Sequence, residues 1–123
     1  MIKDKYDLFD FLMRVFPSFK SRWESEDNYN LESGGEYTEA GLCAEFSQFF
    51  IDSFFDLDVL SVKLLFDEFE DVLFRSESDA SVVGLADGIM ACFFENIAQT
   101  KPGEVSIKLM GRLSRKFFMQ WHV

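Results

Sequence analysis

The sequence predicts an all-α protein, a compact bundle of about five helices in a single helical domain over residues 1–123, with the fourth helix central. Three observations lead there. Apolar residues recur at intervals of three and four along nearly the whole chain, the spacing of one helix face. Only two prolines, Pro17 and Pro102, interrupt it. Sixteen phenylalanines supply far more ring surface than a chain of 123 residues can leave in water, so a packed core is expected rather than disorder.

The first helix is expected from about Lys3 to just before Pro17, with Tyr6, Phe9, Leu12, Met13 and Phe16 as its core stripe. A short helical turn through Phe19 and Trp23 follows. Residues Glu24 to Glu36 read as the one clear loop, polar and ending in Gly34-Gly35, although Tyr29 to Leu31 and Tyr37 could pair briefly as strand. The second long helix runs from about Thr38, its N-cap, to Phe54, burying Leu42, Phe46, Phe49, Phe50 and Ser53. Asp56 or Asp58 caps the third, roughly Asp58 to Arg75, with Val62, Leu65, Phe66, Phe69, Val72 and Leu73 inward. Ser78 or Asp79 caps the fourth, roughly Asp79 to Gln99. Its apolar residues, from Val82 to Ile97, cover more than half the circumference, which is why it is expected at the centre. Gly84, Gly88 and Ala91 line its remaining face, where another backbone can come close. A turn at Lys101-Pro102-Gly103 leads to a fifth helix over about Glu104 to Met119.

Charge is divided sharply along the chain. Trp23 to Thr100 holds eighteen carboxylates and two basic residues, Lys63 and Arg75, a net −16, whereas the first 22 residues carry +2 and the last 23 carry +4. A surface this acidic repels nucleic acid phosphates and anionic lipid heads and attracts basic protein. The expected partner is therefore a protein, with no nucleic acid and no membrane bound. No run of 18 consecutive apolar residues suggests a membrane span, and the first residues lack the apolar core of a signal peptide. Cys43 and Cys92 sit inside apolar helical patterns and read as buried free thiols, so a reducing, cytoplasmic setting is expected.

Catalytic constellations are not evident. Asp67-Glu68-Phe69-Glu70-Asp71 has carboxylates at Mg²⁺-holding spacing, but no second acidic motif faces it and no Glu-x-x-His is present. The default reading is a solvated acidic face supported by an Asp71–Arg75 pair. His122, the only histidine, stands beside the C-terminus, where fraying is expected. No glycine-rich phosphate loop occurs. The chain reads as non-enzymatic, without cofactor or metal. In the last helix Lys108, Arg112, Arg115 and Lys116 fall at i, i+4, i+7 and i+8, a basic face that complements the helix dipole and the acidic body.

The third helix carries a second face. Leu60, Leu64, Asp67, Asp71 and Phe74 fall together opposite its core stripe. Either another helix or the long loop covers this face, or it is an exposed apolar and acidic patch where a basic protein docks.

The acidic middle, the apolar–acidic segment Leu64 to Asp71 and the acidic run Glu24 to Tyr29 together resemble the small, acidic, helical immunity proteins of bacterial toxin–immunity pairs, including those of contact-dependent growth inhibition. The resemblance is one of general character, without a diagnostic motif. It implies binding to a toxin's basic nuclease domain, with carboxylates occupying the groove that holds substrate phosphates. On that basis Glu24, Glu26, Asp27, Glu32, Asp67 and Asp71 are expected to mimic phosphates. Tyr29, Tyr37 and Phe74 would act as apolar anchors, with Leu60 and Leu64 beside them. The basic last helix departs from a uniformly acidic surface. A non-enzymatic adaptor for another basic protein, or a homo-oligomer that buries the patch on the third helix, is the alternative. The free chain is expected as a monomer or weak dimer.

Overall fold

A computed structural model describes residues 1–123, the side chain of Ser33 excepted. Among the described residues there is no strand, and the chain folds as seven helices joined by short turns. These are α1 (Lys5–Val15), α2 (Phe19–Trp23), α3 (Glu39–Ser53), α4 (Val59–Ser76), α5 (Ala80–Ile97), α6 (Lys101–Ser106) and α7 (Arg112–Phe118). The expectation of about five was low for two reasons. The turn through Phe19 and Trp23 is a helix in its own right, and the last expected helix is broken in two.

Helix starts follow local chemistry. Side-chain oxygens of Asp4, Thr38, Asp58, Asp79 and Thr100 each accept a hydrogen bond from a backbone N–H in the following turn, as N-caps do. Pro102 falls in the first turn of α6, where its missing N–H costs nothing, so Lys101-Pro102-Gly103 opens a helix instead of forming the expected turn. A 3-10 turn, Ile107–Leu109, and an extended Gly111 then separate α6 from α7. Lys108 is thereby detached from Arg112, Arg115 and Lys116, and the four cations do not share one helical face.

Helices α3 and α4 both pack on α5, α7 packs on α4 and α5, and α1 and α2 lie against α3. The expected stripe of α4 is buried in full, as is that of α3 except for half-buried Ser53. Of the stripe expected for the first helix, Leu12 and Phe16 are buried, but Tyr6 is exposed, Phe9 and Met13 are half-buried, and Leu8 and Phe11 take their place in the core. This helix carries two overlapping apolar stripes, and the core takes one of them. The other forms an aromatic wall with Trp23 and Tyr37, with Phe9 stacked on Tyr37 at 5.5 Å and Trp23 edge-on to Tyr37 at 5.3 Å.

Within α5 the segment Met90–Phe94 is a π turn. Consecutive Phe93 and Phe94 are both fully buried there. Phe93 is the hub of the core, with ring centroids 5.0–6.0 Å from Phe46 and Phe50 of α3, Phe66 and Phe69 of α4, and Phe94. By length and composition α5 is the one described helix able to cross a membrane. Here Val82, Leu85, Ala86, Ile89, Phe93, Phe94 and Ile97 are buried by packing and Met90 is half-buried, whereas Val83 and Ala91 are exposed. Gly88 gives α3 a close approach, since a Cβ there would lie 3.2 Å from the Glu39 backbone.

The C-terminus does not fray as expected. The His122 ring stacks on Phe118 at 4.9 Å, its Nδ1 accepts from the Gln99 backbone N–H at 2.8 Å, and its Nε2 lies 3.0 Å from Glu104. Gln99, with a left-handed φ of 62°, is held in that conformation by this bond and by a second from its side chain to the Trp121 carbonyl.

Candidate interaction surfaces

Two acidic regions singled out in the sequence have different structural roles. The first is the segment between α2 and α3. It is an ordered connection, with a 3-10 helix at Tyr29–Ser33 where loop or strand was expected. Two asparagines hold it down. Asn28 is 1% exposed; its Nδ2 donates to the Trp23 carbonyl at 2.7 Å, and its Oδ1 accepts from both the backbone and the side chain of Asn30. Asn30 in turn donates to the Gly41 carbonyl at 3.3 Å. Gly41 has to be glycine for this contact, because a Cβ would stand 2.2 Å from Asn30 Oδ1. At the far end Gly34 and Gly35 adopt φ of 75° and 87°, a left-handed pair that turns the chain back towards α3. The Lys5 ammonium donates to the Tyr37 carbonyl at 2.6 Å and lies over the rings of Tyr6 and Tyr37.

On this anchored frame Glu24, Glu26, Asp27, Tyr29 and Glu32 are exposed, and among the described residues none of the four carboxylates forms an ion pair. Tyr29 is 56% exposed. Tyr37 is a half-buried wall residue, and burial first, then nearby acidic groups, pushes its phenol pKa up, so it stays neutral. A shallow cleft of about 370 Å³ runs between Tyr29 and Tyr37, edged by Lys5 and Glu36.

The second region is the outer face of α4. Leu60 is 74% exposed, Leu64 43% and Phe74 61%, so neither a helix nor the loop covers it. Its carboxylates are already paired along the helix. Lys63 contacts Asp67 at 2.5 Å and Arg75 contacts Asp71 at 2.8 Å. No hydrogen bond, ion pair or ring contact among the described residues joins this face to the Glu24–Tyr37 segment. The expected site residues therefore form two sets on different elements.

Sequence reasoning missed Glu70. Its carboxylate turns inward and caps α7 from another helix, accepting from the backbone N–H groups of Leu113 and Ser114 at 2.9 Å each and from the Ser114 hydroxyl at 2.7 Å. Gly111, at the N-cap of α7, supplies no side chain and leaves room, since a Cβ would lie 2.3 Å from Glu70 Cδ. A carboxylate on a helix N-terminus also meets the positive end of the dipole. The one available signal was a glycine, with no capping side chain, ahead of the Arg112–Phe118 pattern.

The cysteines are free. Cys43 is buried, which pushes its thiol pKa far up; Cys92 is half-buried and shifted in the same direction by desolvation. Among the described residues no three His, Cys, Asp or Glu side chains converge to hold a metal ion. No family model matches this chain, and neither a characterised protein nor a solved structure shows significant similarity to it.

Proposed function

We propose that this protein is an immunity protein. It binds the basic active-site groove of a cognate bacterial toxin domain, a nuclease, in the cytoplasm, and blocks the groove without chemistry of its own. The observation that carries the reading is the set of four exposed, unpaired carboxylates, Glu24, Glu26, Asp27 and Glu32, around exposed Tyr29 on a segment pinned by buried Asn28 and Asn30. Unpaired acids steer a cationic partner, with association up to about 10⁸–10⁹ M⁻¹s⁻¹ at low salt. The anchored backbone lowers the ordering cost of binding, and Tyr29 offers a rigid aromatic anchor for slow dissociation. Helix α5 serves as the central strut of the platform.

Calorimetric titration with the toxin domain encoded beside this protein tests the reading. The expected affinity is near nanomolar, about −12 kcal/mol, and weakens with salt. Reversing Glu24, Glu26, Asp27 and Glu32 to lysine is expected to weaken it roughly 10²-fold or more. Unchanged affinity in that variant would move the contact to another face. No complex at all would overturn the immunity function itself.

A further inference from the structure

We infer that the outer face of α4 is a self-association surface, on which a second copy of this chain packs antiparallel about a two-fold axis at Asp67. The inference uses a face separate from the acidic segment proposed for the toxin and does not depend on that reading. Leu60, Leu64, Asp67, Asp71 and Phe74 alternate in steps of four and three, the spacing of a helix-pairing seam, and span about 21 Å of helix. Phe55 and Val59, 70% and 66% exposed, widen the patch at its N-terminal end.

Charge selects the occupant. The protein carries −10 overall, yet the four charges along this seam cancel, Lys63 with Asp67 and Arg75 with Asp71. A basic partner gains little from a neutral face when unpaired acids stand elsewhere. A second copy meets no net charge along the seam from Leu60 to Arg75, and repulsion between acids farther apart than about 8 Å is screened at physiological salt.

The charges beside the seam are complementary in the antiparallel direction only, and there Leu64 lies over position 70, whose carboxylate is turned inward. With the axis at Asp67, Leu60 of one copy meets Phe74 of the other, and Lys63 meets Asp71, so apolar faces apolar and cation faces carboxylate twice over. The opposed Asp67 pair is flanked by the two Lys63 ammonium groups. Both directions set Asp67 on Asp67 and apolar on apolar, but a parallel pairing also sets Lys63 on Lys63, Asp71 on Asp71 and Arg75 on Arg75, where the antiparallel one opposes Lys63 to Asp71. Isologous two-fold contacts of this kind are the commonest in soluble homo-oligomers.

Sedimentation equilibrium of the full chain tests this, at concentrations rising to about 500 µM because association follows mass action. The mass is expected to climb from 14.3 kDa towards twice that value. Leu60→Asp and Phe74→Asp, both at exposed positions, should each raise the dissociation constant at least about tenfold. Asp67→Cys should give a disulfide-linked dimer under diamide, and Val59→Cys and Asp67→Ser should not. A protein that stays monomeric over the whole range overturns the proposal, as does a dimer insensitive to both aspartates. Cross-linking through Val59→Cys, whether or not Asp67→Cys also cross-links, overturns the antiparallel register, since only a parallel pair sets Val59 on Val59.

Discussion

The segment Glu24–Tyr37 and the outer face of α4 look alike in sequence, since each mixes carboxylates with aromatic or aliphatic residues. They differ in where the counter-charge lies. On α4, lysine and arginine stand four residues from each aspartate, so the regular helix closes both ion pairs without help from the rest of the fold. Between α2 and α3 the basic residues at that spacing, Lys20 and Arg22, pair with neither Glu24 nor Glu26 among the described residues, Arg22 being taken by Glu45 and Asp52 of α3, and the charge there stays directed outwards. Helical periodicity neutralised one acidic run, and the irregular connection left the other available. Net charge per segment is therefore a poor guide to which acids can bind a cation.

Stability measurements can break this contrast where it matters. The largest effect is expected at Glu70, the one acid of the Asp67–Asp71 run that leaves the α4 surface. Glu70→Ala strips three charge-assisted hydrogen bonds from the start of α7 and should cost about 3 kcal/mol in urea unfolding. Asp67→Asn, at an exposed i, i+4 pair, should cost no more than about 0.5 kcal/mol. Equal costs would mean that the two acids are held alike.

A smaller effect is expected at Asn28. Asn28→Ala leaves buried groups of Trp23 and Asn30 without their partner and should cost about 2 kcal/mol. It should also speed amide exchange over residues 24–36, leaving α4 unaffected. If exchange there does not change, the segment is held by the aromatic wall and not by the asparagines.

The smallest effect concerns acid. The Arg22 guanidinium, 2.8 Å from Asp52, holds that carboxyl below its ordinary range and ties α2, which leads into the acidic segment, to α3. A lowered folded value means that the contribution is present above about pH 4 and is lost as pH falls through the folded value. Asp52 is half exposed, so solvent screening limits the pair to about 0–1 kcal/mol. The unfolding midpoint should fall below pH 4 more steeply in the wild type than in Asp52→Asn, and parallel curves would assign the acid sensitivity to other groups.

Much of the architecture was legible because it is periodic. The stripes of α3, α4 and α5 and the caps Thr38, Asp58 and Asp79 follow from side chains three and four residues apart, and these interactions lie within one helix. Reading failed where local patterns were degenerate. The first helix offered two apolar stripes that share Leu12, and the position of α3 chose Leu8 and Phe11 over Tyr6, Phe9 and Met13. The candidate site was legible as a set of acids and rings but not as an arrangement, because pairing, exposure and anchoring depend on residues distant in the chain.

By itself the sequence determined the all-helical class, the stripes of the long helices after the first, and the division of charge, all properties of residues and their near neighbours. Tertiary structure alone decided that Glu70 caps α7 across 43 residues, that His122 folds back onto Gln99, and that Asn28 and Asn30 pin the acidic segment. It also decided that the outer face of α4 is bare. The physical reason is range. Helix periodicity and capping act within about one turn, whereas a donor left over at a helix end, or an apolar face without a neighbour, is settled only when the whole chain has packed.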